Sequence, residues 1–120
     1  MQAKKIGYLG EELAASYLNQ HGYSIVATNY TIQGGEIDII ARCNDFLIFV
    51  EVKTRTSSTF GNGGESITRN KRLRLQRAIT HYIAQHCAHR EPEYRIDVIE
   101  ITLHAQKHYL LNIDHIENIE

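Results

Sequence analysis

Residues 34–55 read GGEIDIIARCNDFLIFVEVKTR, and the stretch plants Glu36, Asp38, Glu51 and Lys53 in two otherwise apolar runs. Ile37–Ala41 and Phe46–Val52 are short, β-branched or aromatic, and separated by Arg42, Cys43, Asn44 and Asp45, which predicts a β-hairpin. A turn centred on Asn44 and Asp45 sets Asp38 opposite Glu51 and Glu36 opposite Lys53, all on one face. Directly opposed residues have Cβ atoms about 4.5–5.5 Å apart, where like charges destabilise the pair. Either one carboxylate keeps a proton through a raised pKa, or a cation lies between the two. Their hard oxygens suit Mg²⁺, Mn²⁺ or Ca²⁺ rather than zinc. Lys53, two residues beyond Glu51 on the same side, is placed to polarise a phosphate oxygen or an attacking water. A plainer reading pairs Glu36 with Lys53 and leaves the acids in water. Against it, Phe46–Val52 is apolar apart from Glu51 and reads as a strand buried on both faces, where an uncompensated carboxylate is costly.

A chain of 120 residues has the length of one domain, 1–120, with room for a real core. The net charge of −1 supplies no global field toward nucleic acid, so such a partner must be met locally. Locally the charge is lopsided. Lys53–Arg77 holds seven of the thirteen Lys and Arg against one acid, Glu65, whereas Glu91–Glu120 holds seven of the fourteen acids. Cys43 and Cys87 form no C-x-x-C, which fits a reducing cytoplasm, and no apolar run approaches membrane-spanning length. The N-terminal MQAKKIGYLGEE lacks the apolar segment of a secretion signal.

Along the chain, residues 4–20 predict a helix whose inner stripe is Ile6, Leu9, Leu13, Ala14, Tyr17 and Leu18, ended by Gly22. Glu11 falls on the Ala14–Leu18 line and Glu12 on the wet face; Glu11 is either a first-turn acid favouring the dipole or a third carboxylate for the hairpin site. Tyr23–Tyr30 predicts a strand and Thr31–Gly35 a turn, giving a three-stranded meander with the hairpin. Residues 54–64, TRTSSTFGNGG, predict a surface loop and form no phosphate-binding loop. A second helix is expected from Glu65 or Ser66 to Cys87, with Ile67, Leu75, Ala78, Ile79, Tyr82 and Ile83 inside. Arg69, Lys71, Arg72, Arg74 and Arg77 crowd its first half, Lys71 toward the core side. Cations there oppose the dipole, so either phosphate contact or a solvated face must account for them. Glu93–Thr102 predicts a strand parallel to its neighbour, because a helix precedes it. Leu110–Ile119 predicts a short strand or turn with a helical end. His81, His86, His89, His104 and His108 form no ligand set and read as surface residues.

The pattern Gly7-x-x-x-Glu11, then GEIDII, then FVEVKTR, then FG and a helix bearing Lys71, resembles the YraN family of bacterial proteins over nearly the whole chain. That family resembles the PD-(D/E)-x-K nucleases and archaeal Holliday junction resolvases. The resemblance implies an α/β, restriction-endonuclease-like core, a mixed central sheet of four to five strands flanked by helices. It carries over Glu11, Asp38, Glu51 and Lys53 as the acid, acid, acid, lysine set, with Ile37 where the motif name has proline.

The expectation is a Mg²⁺- or Mn²⁺-dependent DNA endonuclease for branched or structured substrates. Asp38, Glu51 and the Val52 carbonyl would hold the metal, Lys53 would steer the water, and Glu11 would support a second ion or its water. Arg55, Arg69, Lys71 and Arg72 would hold the nucleic acid backbone. A non-catalytic nucleic-acid-binding module is the alternative. A third reading is a scaffold in which the basic middle meets the acidic tail of a second copy as a homodimer. No membrane partner is expected.

Overall fold

A computed structural model describes residues 2–57, 68–87, 89 and 91–119. The elements in order are α1 (Gln2–Gln20), β1 (Ser24–Ile32), β2 (Gly35–Cys43), β3 (Phe46–Thr56), α2 (Arg69–His86), β4 (Glu93–Leu103) and β5 (Leu110–Ile116). The strands form one mixed sheet in sequence order: β1, β2 and β3 are antiparallel, β3 and β4 parallel, and β4 and β5 antiparallel. Five strands flanked by two helices agree with the α/β expectation and are compatible with a restriction-endonuclease-like core.

Alternation along β3 explains the three layers. Ile48, Val50 and Val52 face α1, packing with Ala14, Leu18, Ile39, Ile99 and Ile101. Leu47 and Phe49 face α2, packing with Leu75, Ala78, Ile79, Ile37 and Ile96. A strand covered by a helix on each side must be apolar at successive positions, which is the reading the sequence invited. α1 stops where Gly22 adopts φ +91: its N–H bonds Asn19, the Tyr23 N–H bonds Leu18, and Tyr23 and Leu18 pack in the same core.

Several boundaries differ from expectation. Thr68, in extended backbone, accepts the Lys71 N–H on its side chain, so α2 starts at Arg69; the expected start at Glu65 or Ser66, Ile67, and most of the 54–64 loop lie outside the described residues. Thr54, Arg55 and Thr56 belong to β3 because each pairs with β4. β1 runs to Ile32, leaving only Gln33 and Gly34 in the turn. The C-terminal segment continues β5 to Ile116 with no helix over 117–119, because its backbone pairs with β4. Among the described residues no helix is long and apolar enough to cross a membrane.

Candidate active site

The hairpin turns at Asn44, which takes φ 56, and pairs Ile39 with Val50 through Cys43 with Phe46, the predicted register. The ladder does not continue in the same way past Ile39. On β2, Ile37 and Ile40 both pack toward α2 although they are three apart, so the strict alternation breaks between them, at Asp38. The facing position on β1 is Asn29, a non-glycine residue at φ 52, and it is missing from an otherwise regular pairing of Thr28 with Ile39 and Tyr30 with Ile37. This kink frees the Asp38 carboxylate to turn inward and accept the Val52 backbone N–H at 2.8 Å. Where β2 and β3 part, a side chain thus takes the place of a ladder hydrogen bond.

Asp38 and Glu51 are the buried acids of this corner, 8% and 6% exposed. Burial pushes Glu51 up to about 7, and the Asp38 charge adds to it; the Lys71 ammonium, 3.7 Å away, opposes both without cancelling them. Burial likewise raises Asp38, against the pull of the Val52 N–H. With both acids raised, burial favours the first of the alternatives posed by the sequence, a held proton.

Glu11 reaches the same corner from α1. It lies in the middle of the helix, not in its first turn, which contains no acid. Partial burial and the Asp38 charge hold it above its usual range, against the pull of the nearby Asn29 side chain. Gly10 permits the approach, since a Cβ there would overlap the Thr54 side chain. On the other side, a Cβ on Gly35 would sit 2.6 Å from the Arg74 carbonyl, so that glycine lets α2 close on β2. A cavity of about 390 Å³ opens between α1 and the β1–β2 edge, with Glu11, Asn29 and Asp38 in its wall.

Lys53 lies two residues beyond Glu51 on β3, half-buried, beside Glu100 of β4 in the parallel register. Glu100, 9% exposed, was not singled out from the sequence. Glu36 is exposed and pairs with Arg74 at 3.4 Å. The expected basic surface is partly engaged by the protein itself. Lys71 has a side chain 58% exposed, yet its ammonium turns toward the sheet, the expected side, and reaches the buried Glu51. Arg72 donates to the Ile119 carbonyl and Arg77 to that of Gly34. These contacts account for much of the cation crowding in the first half of α2. Arg69 is exposed and Arg55 half-buried.

Two carboxylates and a backbone carbonyl suit an ion that keeps several of its waters, as Mg²⁺ does. Among the described residues no three His, Cys, Asp or Glu side chains converge closely enough to hold one ion, so Glu11 stands off from the Asp38–Glu51 pair.

A second polar cluster escaped the sequence reading. Asp97 is fully buried and accepts from Arg95, from His115 Nε2 at 2.8 Å and from the Asn118 N–H. With Nε2 donating, His115 Nδ1 takes the Tyr17 hydroxyl at 3.1 Å, and Arg95 bonds the Tyr23 hydroxyl. This set ties α1 to β4 and β5. Its partners are far apart in sequence, and the one available signal was a charged pair, Arg95 and Asp97, within an apolar strand. Of the other histidines, His81, His86 and His89 are exposed, while His104 is half-buried and accepts the Gln106 and Lys107 N–H groups.

Comparison with known proteins gives a consistent result. The sequence signature of the uncharacterised protein family UPF0102 matches residues 10–101. A UPF0102 protein of Caldicellulosiruptor bescii is 44% identical over 101 residues, covering 84% of this chain and 85% of its own. One from Alkaliphilus oremlandii is 42% identical over 116 residues, 96% and 97% of the two chains. One from Carboxydothermus hydrogenoformans is 38% identical over 120 residues, 99% and 98%. The chain belongs to the uncharacterised protein family UPF0102, the YraN family that its motifs resemble.

Proposed function

We propose that this chain is a Mg²⁺- or Mn²⁺-dependent phosphodiesterase acting on DNA, an endonuclease for branched or otherwise structured substrates. The observation that carries the reading is the Asp38–Glu51 pair: two buried carboxyls meeting at a strand fork, both raised, with Lys71 compensating them only in part. Such strongly perturbed acids are a recurrent sign of function. Asp38, Glu51 and the Val52 carbonyl would hold the ion. The ion, when bound, supplies a water of lowered pKa and stabilises charge on the phosphate. Asp38 is oriented by the Val52 N–H, and Glu51 would serve the ion in its ionised form, the form that Lys71 already favours. Lys53, on the Glu51 side of β3, would direct the attacking water or a phosphate oxygen. Glu11, in the cavity wall beside Asn29, would accept a hydrogen bond or a proton at the rim. Arg55, Arg69, Lys71 and Arg72 would carry the DNA backbone, Lys71 exchanging Glu51 for phosphate.

The test is incubation of purified protein with branched and nicked DNA in Mn²⁺. Cleavage that disappears in Asp38→Ala supports the assignment, and cleavage that survives the substitution overturns it. A second reading, a nucleic-acid-binding module without turnover, is favoured by one observation: among the described residues no third carboxylate joins the Asp38–Glu51 pair, and Glu51 is already paired with Lys71. DNA binding that weakens with salt, with no cleavage in any divalent metal, would select it.

A further inference from the structure

The cavity beside Glu11 has features that a metal and a phosphate do not use. Its volume, about 390 Å³, falls within the range of small-molecule sites, roughly 300–1,000 Å³. One wall carries Tyr8, a residue 54% exposed and outside both core clusters. Gly7 also lines it, and beyond its chain neighbours and its own helix backbone no atom of the described residues lies within 4 Å of the point where a Cβ at Gly7 would sit. A glycine inside a helix is less favourable than alanine by roughly 0.5–1 kcal/mol. Gly10 has a packing reason for that, its contact with Thr54; Gly7 has none, and it keeps a space clear.

The lining selects what enters. A phosphate would meet Glu11, Glu36 and Asp38, all acidic. A neutral planar ring with an exocyclic amine would instead stack on Tyr8 and donate to the Glu11 carboxyl, while Lys4 at the same cavity would meet the adjoining backbone phosphate. We propose that this cavity receives one unpaired nucleobase, with Tyr8 as its stacking face and Gly7 as the gap that admits it. The proposal rests on the nucleic-acid reading above and sharpens it: the substrate presents an unstacked nucleotide beside the phosphate to be cut, as a flap, branch or mismatch does and an intact duplex does not.

The experiment compares binding of a flapped DNA and a blunt duplex of the same length by fluorescence anisotropy, in Ca²⁺, with 2-aminopurine at the first unpaired position. The parent should bind the flap about tenfold more tightly than the duplex and quench the 2-aminopurine. Tyr8→Ala and Gly7→Leu should each erase that preference and the quenching while leaving duplex affinity within about twofold, and Tyr8→Phe should keep both. Gly7→Leu should melt no lower than the parent, because leucine is the better helix former. If both variants hold the flap as the parent does, the base site is wrong, and cleavage that depends on Asp38 would still stand. If the parent binds no DNA of either form, the function proposed above fails and the base site fails with it.

Discussion

The Asp38 carboxylate accepts the Val52 N–H at 2.8 Å across the point where β2 and β3 part. One contact therefore gives Asp38 two separable roles, an acceptor that closes the backbone and a charge that opposes Glu51. Asp38→Asn keeps an acceptor and removes the charge, so without metal it should melt at or above the parent. Asp38→Ala orphans the Val52 N–H and should lose about 1–3 kcal/mol. Addition of Mn²⁺ should raise the parent alone, by about 2.7 kcal/mol at a hundredfold excess over Kd. Thermal melts of the three proteins with and without Mn²⁺ check this, and equal stabilisation of all three would remove the metal from this corner.

Glu51 gives a pH signature of defined sign. Its folded pKa, about 7, lies above its ordinary 4.5, so the folded state holds the proton more tightly than the unfolded one. The resulting stability is complete below about 4.5 and is lost as pH rises through about 7. In metal-free buffer Tm should fall by several degrees across that window, each 1 kcal/mol being worth roughly 3–6 °C at this size. Glu51→Gln should flatten the slope, and a variant that keeps the parent's slope would place the titration elsewhere.

The glycines should separate by what they touch. Gly10→Ala and Gly35→Ala each force an overlap, with Thr54 and with the α2 backbone, and should lose about 1–3 kcal/mol. Gly7→Ala meets open space and should gain about 1 kcal/mol. Urea denaturation of the three variants decides the ordering.

Asp97→Ala should be the most damaging polar substitution in the chain. It strips an acceptor from Arg95, His115 and the Asn118 N–H at once, and removal of one partner from a buried ion pair costs about 3–5 kcal/mol. Burial raises the Asp97 carboxyl, but the hydrogen bonds from His115, Arg95 and Asn118 together hold it below its usual value. Its contribution is accordingly present above the ordinary aspartate pKa and lost in acid, the opposite sense to Glu51. A melt of Asp97→Ala at neutral pH within about 1 kcal/mol of the parent would show that the cluster contributes little.

What the sequence made legible follows from periodicity. The apolar run of β3, the stripe of α1 and the Asn44–Asp45 turn each repeat a local rule, so the hairpin and its register could be read directly. The fork at Asp38 could not, because a break in alternation at Asn29 and Asp38 has no local signature beyond an asparagine able to take positive φ. Thr68 as the start of α2 was hidden by Glu65, an acid equally suited to a first turn. β5 read as half helical because its burial alternates weakly at the sheet edge. Glu100 and the Asp97–His115–Tyr17 set depend on pairings between distant segments, which no single window contains.

The strand order β1-β2-β3-β4-β5 has a kinetic consequence. The first three strands can zip through short turns, whereas β4 must wait for the α2 crossover to be threaded and packed. On that order Asp38 and Glu51 should meet in the early hairpins, before Lys71 arrives to soften their repulsion. Refolding in stopped flow should consequently accelerate from pH 8 to pH 5, as protonation lowers the barrier, and Glu51→Gln should refold quickly at both.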